Sequence, residues 1–134
     1  MKRIKLLIVL GMLSLGLGFS SYSLAEGNAQ EEINKALLHA NFLIKADTLE
    51  HMHMHMHHIL NCMVGEHGKE FDPKVMDPCK GMGNGAINDE SSPVKRKLLD
   101  QVEKLGSIGV TIENPSAAHD VALAMHALLQ EAAK

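Results

Sequence analysis

Aromatic residues are scarce in this 134-residue chain, which has no Trp, one Tyr and three Phe. Few rings are therefore left on which sugars or bases could stack. Basic side chains are also in short supply, 13 against 16 acidic ones. Without a basic face to meet phosphates, nucleic acid is excluded as a partner. Cysteine occurs twice, at Cys62 and Cys79, and never as Cys-x-x-Cys-His, so covalent c-type haem is excluded by pattern.

Several enzyme motifs are missing too. Gly81, Gly83 and Gly85 have no strand before them and no Lys-Ser or Lys-Thr after them, so they do not form a phosphate cradle. A calcium loop starting at Asp77 fails because Cys79 and Gly81 stand where oxygen ligands are needed. No serine sits in a nucleophile-elbow setting near the histidines. The expectation is a protein that is not an enzyme.

The N-terminus carries Lys2, Arg3 and Lys5, then an apolar run from Leu6 to Phe19, then Ser23-Leu24-Ala25. Basic n-region, apolar h-region and small-residue end together predict a secretory signal over residues 1–25, cleaved after Ala25. The run is short and interrupted by Gly11, Gly16 and Gly18, and no cysteine follows it for lipid attachment, so no membrane anchor is expected to persist. Residues 26–134 then form a single domain, periplasmic or secreted. Losing Lys2, Arg3 and Lys5 from the 13 basic residues leaves 10 against 16 acidic ones, a formal charge of -6 with neutral His. That balance is compatible with attracting cations.

A domain this short buries a limited share of its surface, so a covalent staple or a bound metal would help it. Outside the cytosol Cys62 and Cys79 are expected to pair. The alternative is a reduced pair joining His55 or His58 in a zinc site.

Helical periodicity dominates the rest. Ile33, Leu37, Ala40 and Ile44 predict a helix over 29–46, with Leu38 and Phe42 widening its apolar stripe. Asp47 and Glu50 have capping-box spacing before a second helix, from about Thr48 to Val64, stopped by Gly65. Residues 66–91 are dense in turn formers and predict a long loop, held back by the cysteine link. Ser92-Pro93 opens a third helix that ends at Gly106. Asn114-Pro115 opens the last, with Val121, Ala124, Met125, Leu128 and Ala132 on one face. The expected fold is all-α: a small four-helix bundle or paired helical hairpins, with one long disulfide-tethered loop.

What is abundant lies in one place. Residues 51–58 read His-Met-His-Met-His-Met-His-His, five imidazoles and three thioethers in eight positions. Imidazole suits copper, zinc and nickel, while thioether sulfur favours Cu(I), and no carboxylates are interleaved to hold calcium or magnesium. The literal alternation is a strand signal. On a helix of about 100° per residue it breaks into stripes.

His51, His55 and His58 fall on one line, continued by Cys62; His53 and His57 form an i, i+4 pair; Met54 and His58 form a mixed one. Met52, Met56 and Met63 join Leu49 and Ile59 on the expected core side, as Met125 does in the last helix. His119 and His126 share a face of that last helix and could complete a site, as could His39 from the first. Isolated His39, His67 and His119 also fit plain surface or hydrogen-bonded roles.

The candidate metal ligands are therefore His51, His53, Met54, His55, His57, His58, His119 and His126. The expected function is transition-metal binding, copper first, with zinc or nickel as alternatives. Non-covalent haem between helices two and four stays open, as does a metal-free, pH-responsive interaction module.

Overall fold

The computed structural model describes residues 27–134; the expected signal over residues 1–25 lies outside them. Among the described residues the elements are α1 (Ala29–Leu43), α2 (Leu49–Val64), a short α3 (Ala86–Asp89), α4 (Pro93–Gly109) and α5 (Pro115–Ala132). No described helix is long and apolar enough to cross a membrane.

The four long helices make two hairpins, α1 with α2 and α4 with α5. These close into a ring because α1 also packs on α5 and α2 on α4. The fold is thus the all-helical bundle of paired hairpins expected from periodicity. Its interior is filled by Ile33, Leu43, Met56, Ile59, Met63, Leu99, Val102, Met125 and Leu129, all fully buried.

Each long helix starts on a side chain that satisfies one of its free N–H groups. Asn28 accepts from Glu31, Ser92 from Lys95 and Asn114 from Ala117. At α2 the cap is Thr48, which accepts from the His51 N–H, so the expected Asp47 capping box is not what forms. Asp47 lies just outside, its carboxylate 3.8 Å from the His51 ring. Gly65 ends α2 at φ 67°, a left-handed conformation that glycine adopts without cost.

Three expectations need correcting. Gly106 does not stop α4, which runs three residues further, to Gly109. Both glycines are buried because the helix passes close to its neighbours there. A Cβ on Gly106 would come within 2.9 Å of the Leu60 side chain, and one on Gly109 within 2.6 Å of the Met56 sulfur. On α5 the buried face is Ala118, Ala122, Met125, Leu129 and Ala132, while Ala124 faces solvent.

On α1 the buried stripe is Glu32, Ile33, Ala36, His39, Ala40 and Leu43, rotated from the expected one. Leu38 and Phe42 accordingly stand outside, 44% and 45% exposed. Ala36 and Ala40 explain the rotation, since small residues let two helices approach closely while bulky ones are accommodated at the rim.

The long connection is pinned at several points. Cys62 and Cys79 form a disulfide, Cα–Cα 5.2 Å, that ties α2 to the loop. Buried Asn61 accepts from the Asp72 N–H at 2.8 Å and donates to the Asp72 carbonyl at 3.1 Å. Residues 86–89 add the single turn of α3 within the expected loop, packed on α1, α2 and α4.

Candidate metal centre

Rotation of the α1 stripe turns His39 inward, onto the face of α2 that carries His55 and His58. The Nδ1 atom of His39 lies 3.4 Å from Nδ1 of His55 and 3.2 Å from Nδ1 of His58. One ligand atom from each of the three gathers within 4.8 Å of the others, close enough to hold a metal ion. Two nitrogens bound tetrahedrally to one ion at about 2.05 Å stand about 3.3 Å apart, the separation seen on both sides of His39. His39 and His58 are buried and His55 is half-buried. The site is therefore walled by protein on most sides.

Without a cation the geometry is frustrated. Each neutral imidazole has one N–H and one acceptor nitrogen. A single Nδ1 on His39 facing two others cannot form two good hydrogen bonds at once. A metal ion can take the lone pair of each Nδ1 at once, with each ring proton carried on Nε2.

Burial lowers all three basicities, because a charged ring loses solvation there. His39 falls to about 4, through desolvation first and then the neighbouring His58, His55 and Lys35. His55 and His58 shift the same way, again through burial first. All three rings are thus biased toward the neutral form that coordinates metals. Phe42, one turn beyond His39, closes one side: its ring lies edge-on 5.7 Å from His39 and tilted 5.5 Å from His55.

The remaining histidines go elsewhere. His51 is exposed beside Asp47. The Nε2 of His53 is 2.9 Å from the Ile112 carbonyl, at the α4–α5 connection. His57 lies 3.6 Å from the Asp72 carboxylate in the long loop. Of the expected pair His53/His57, His53 is taken by the Ile112 carbonyl, while the buried Nδ1 of His57 has no hydrogen-bond partner.

From α5, His119 meets the Ile44 carbonyl at 3.2 Å and His126 meets the Asn41 side-chain oxygen at 3.0 Å. Both serve the α1–α5 contact. Met52, Met56, Met63 and Met125 are buried in the core, and Met54 is 37% exposed.

Of the expected ligands, the structure brings together His55 and His58. The third member, His39, is not among the expected ligands: in the sequence it reads first as a surface or hydrogen-bonded residue and only second as one that could complete a site. A signal was present: His39 falls at i+3 from Ala36, on the side of the helix that also holds Leu43, and small alanines mark the close-packed side of α1.

Compared with family models, with curated proteins and with solved structures, the chain matches none. The chemistry has to be read from the site itself.

Proposed function

We propose that this is an exported transition-metal-binding protein whose primary site is His39, His55 and His58, with buffering, delivery or sensing of the ion as its role. The observation that carries this is the convergence of three Nδ1 atoms at coordination spacing around His39. Calcium and magnesium are disfavoured by an all-nitrogen donor set, whereas copper, zinc and nickel all accept one. Copper is placed first because Met54 stands exposed one turn before His58 and can add a soft donor at the open edge. Three protein ligands leave a fourth position for water, a thioether or a receiving partner. The disulfide fits an oxidising compartment, in keeping with export.

Haem ligation between α2 and α5 would need His and Met to face each other there. At that contact Met56 and Met125 are fully buried packing residues, while His119 and His126 are turned toward α1.

The test is native mass spectrometry of untagged protein titrated with Cu(I), Cu(II) and Zn(II), comparing two triple variants. Replacing His39, His55 and His58 with Ala should abolish the tightest site, while replacing His51, His53 and His57 should leave it. Equal loss in both variants, or retention in the first, overturns the assignment.

A further inference from the structure

Among the described residues none of the rings of His39, His55 and His58 has a carboxylate beside it, whereas three other histidines do. His51 lies 3.8 Å from Asp47, His57 3.6 Å from Asp72 and His67 3.5 Å from Glu66. Two of those three stand in the same octapeptide as His55 and His58, so the difference is made by the fold and not by the local sequence. The trio is a cation site built without anions.

A second absence lies behind the rings. Among the described residues their ring nitrogens come within hydrogen-bonding distance only of one another, Nδ1 to Nδ1. Sites for divalent ions ordinarily place a carboxylate or carbonyl behind each imidazole, which raises its basicity, and losing that support weakens binding by roughly 10–100-fold. Here it is missing.

The charge that does stand nearby on α1 is positive. Lys35 lies one turn before His39 on the same flank, half-buried and in no ion pair among the described residues. After desolvation and the two neighbouring imidazoles, it adds to the lowering of His39 basicity. The flanking carboxylates do little to offset it: Asp47 is 89% exposed and turned to His51, and Glu32, two turns down α1, is buried and raised to about 7.

We infer that the trio is a site for a monovalent soft cation, Cu(I) in preference to any divalent ion, with the charge preference set by Lys35 and by the missing carboxylates. The inference rests on the metal-binding reading above and names the ion that it leaves open. Imidazole suits copper, zinc and nickel alike, so donor type does not separate them and charge does. The cost of taking an ion out of water rises with the square of its charge, and no anionic group at this buried site repays it for a dication. A monovalent ion loses least.

The test sets Cu(I) against Cu(II) on the same donors, by competition titration of untagged protein with oxygen excluded for Cu(I). His51, His53 and His57 are replaced with Ala in the background, so that the trio is measured alone. Ag(I) and Zn(II) form a second, redox-inert pair. Cu(I) should bind at least about tenfold tighter than Cu(II), the scale of the missing support behind the rings, and Ag(I) tighter than Zn(II). Lys35→Glu should then raise affinity for every ion and narrow both gaps, because a change in potential acts twice on a double charge: a gain of about threefold for Cu(I) becomes about ninefold for Cu(II). Should Lys35→Glu fail to fold, Lys35→Gln gives the same narrowing at about half the size on a logarithmic scale.

Charge selection is overturned if a divalent ion binds tighter than its monovalent counterpart, or if the Lys35 variant shifts both members of a pair equally. Divalent-first binding that still disappears in His39→Ala overturns charge selection alone. Absence of binding by all four ions overturns it together with the metal-binding reading.

Discussion

Glu32 and His39 lie seven residues apart on one flank of α1, about 10 Å along its axis. Each is a buried titratable group with no oppositely charged partner, yet they respond to burial in opposite senses. Desolvation disfavours the charged form of both, so the carboxyl is pushed up to about 7 and the imidazole down to about 4. At neutral pH the His39 end is uncharged, with three lone pairs ready for a cation. The Glu32 end sits near its own titration, buried beside Asp89. One helix thus carries two buried groups of opposite response, and the difference lies in what each residue meets: two other imidazoles in one case, two acidic side chains and a peptide N–H in the other.

The sharpest way to break this contrast is at the histidine end. His58→Ala or His39→Ala should weaken the first metal equivalent by more than about 100-fold, beyond the loss usual for second-shell changes. Glu32→Gln should leave that affinity within a few-fold of the parent; competition titration reads both.

Next in size is the covalent tie beside Glu32. Replacing Cys62 and Cys79 together with Ala should cost about 3 kcal/mol in denaturant unfolding, since the closed loop spans 17 residues. In hydrogen exchange the amides of residues 79–85 should open before those around His39.

Acid titration of metal-free protein separates the two ends by sign. The His39 contribution is complete above the unfolded value of 6.5 and is lost as pH falls toward about 4, because the unfolded chain takes up the proton first. The Glu32 contribution runs the other way: it is complete below the unfolded 4.5 and is lost as pH rises through about 7. Glu32→Gln should therefore lose more stability than the parent on going from pH 7.5 to 5, and His39→Gln should lose less. Equal slopes in urea unfolding across that range would contradict the opposition.

The smallest effect tests the thioethers. Met56→Leu conserves volume in a fully buried position and should cost less than about 1.5 kcal/mol while leaving metal affinity unchanged. A large drop in Cu(I) affinity would instead make Met56 a ligand.

Much of the bundle was legible from spacing. Thr48 to Val64, Ser92-Pro93 and Asn114-Pro115 announce helix boundaries through local chemistry, and the pairing of Cys62 with Cys79 was legible because the chain has no other cysteine. The inward turn of α1 was not legible. Ile33, Leu37, Ala40 and Ile44 make the more apolar stripe, but Ala36 and Ala40 decide the approach to α2, a tertiary preference that hydrophobicity does not record.

That single rotation carries His39 and Glu32 into the interior and leaves Leu38 and Phe42 outside, so the histidine cluster and the buried carboxyl both depend on it. Likewise the helical wheel sets Met52 and Met56 aside but leaves His51, His53, Met54, His55, His57 and His58 as candidate ligands. Only the fold shows which converge: His53 is taken by the Ile112 carbonyl, and His51 and His57 lie toward Asp47 and Asp72.

The three imidazoles sit 16 and 19 residues apart in the chain, across the short turn between α1 and α2. Neither α4 nor α5 contributes a ligand, so joining them requires closing only a short loop, an inexpensive step in chain entropy. In the proposed metal-binding role every ligand is therefore supplied by the first hairpin, whatever the C-terminal half contributes to burying it. The proposed ion would then act on folding early, joining two helices that follow one another in the chain.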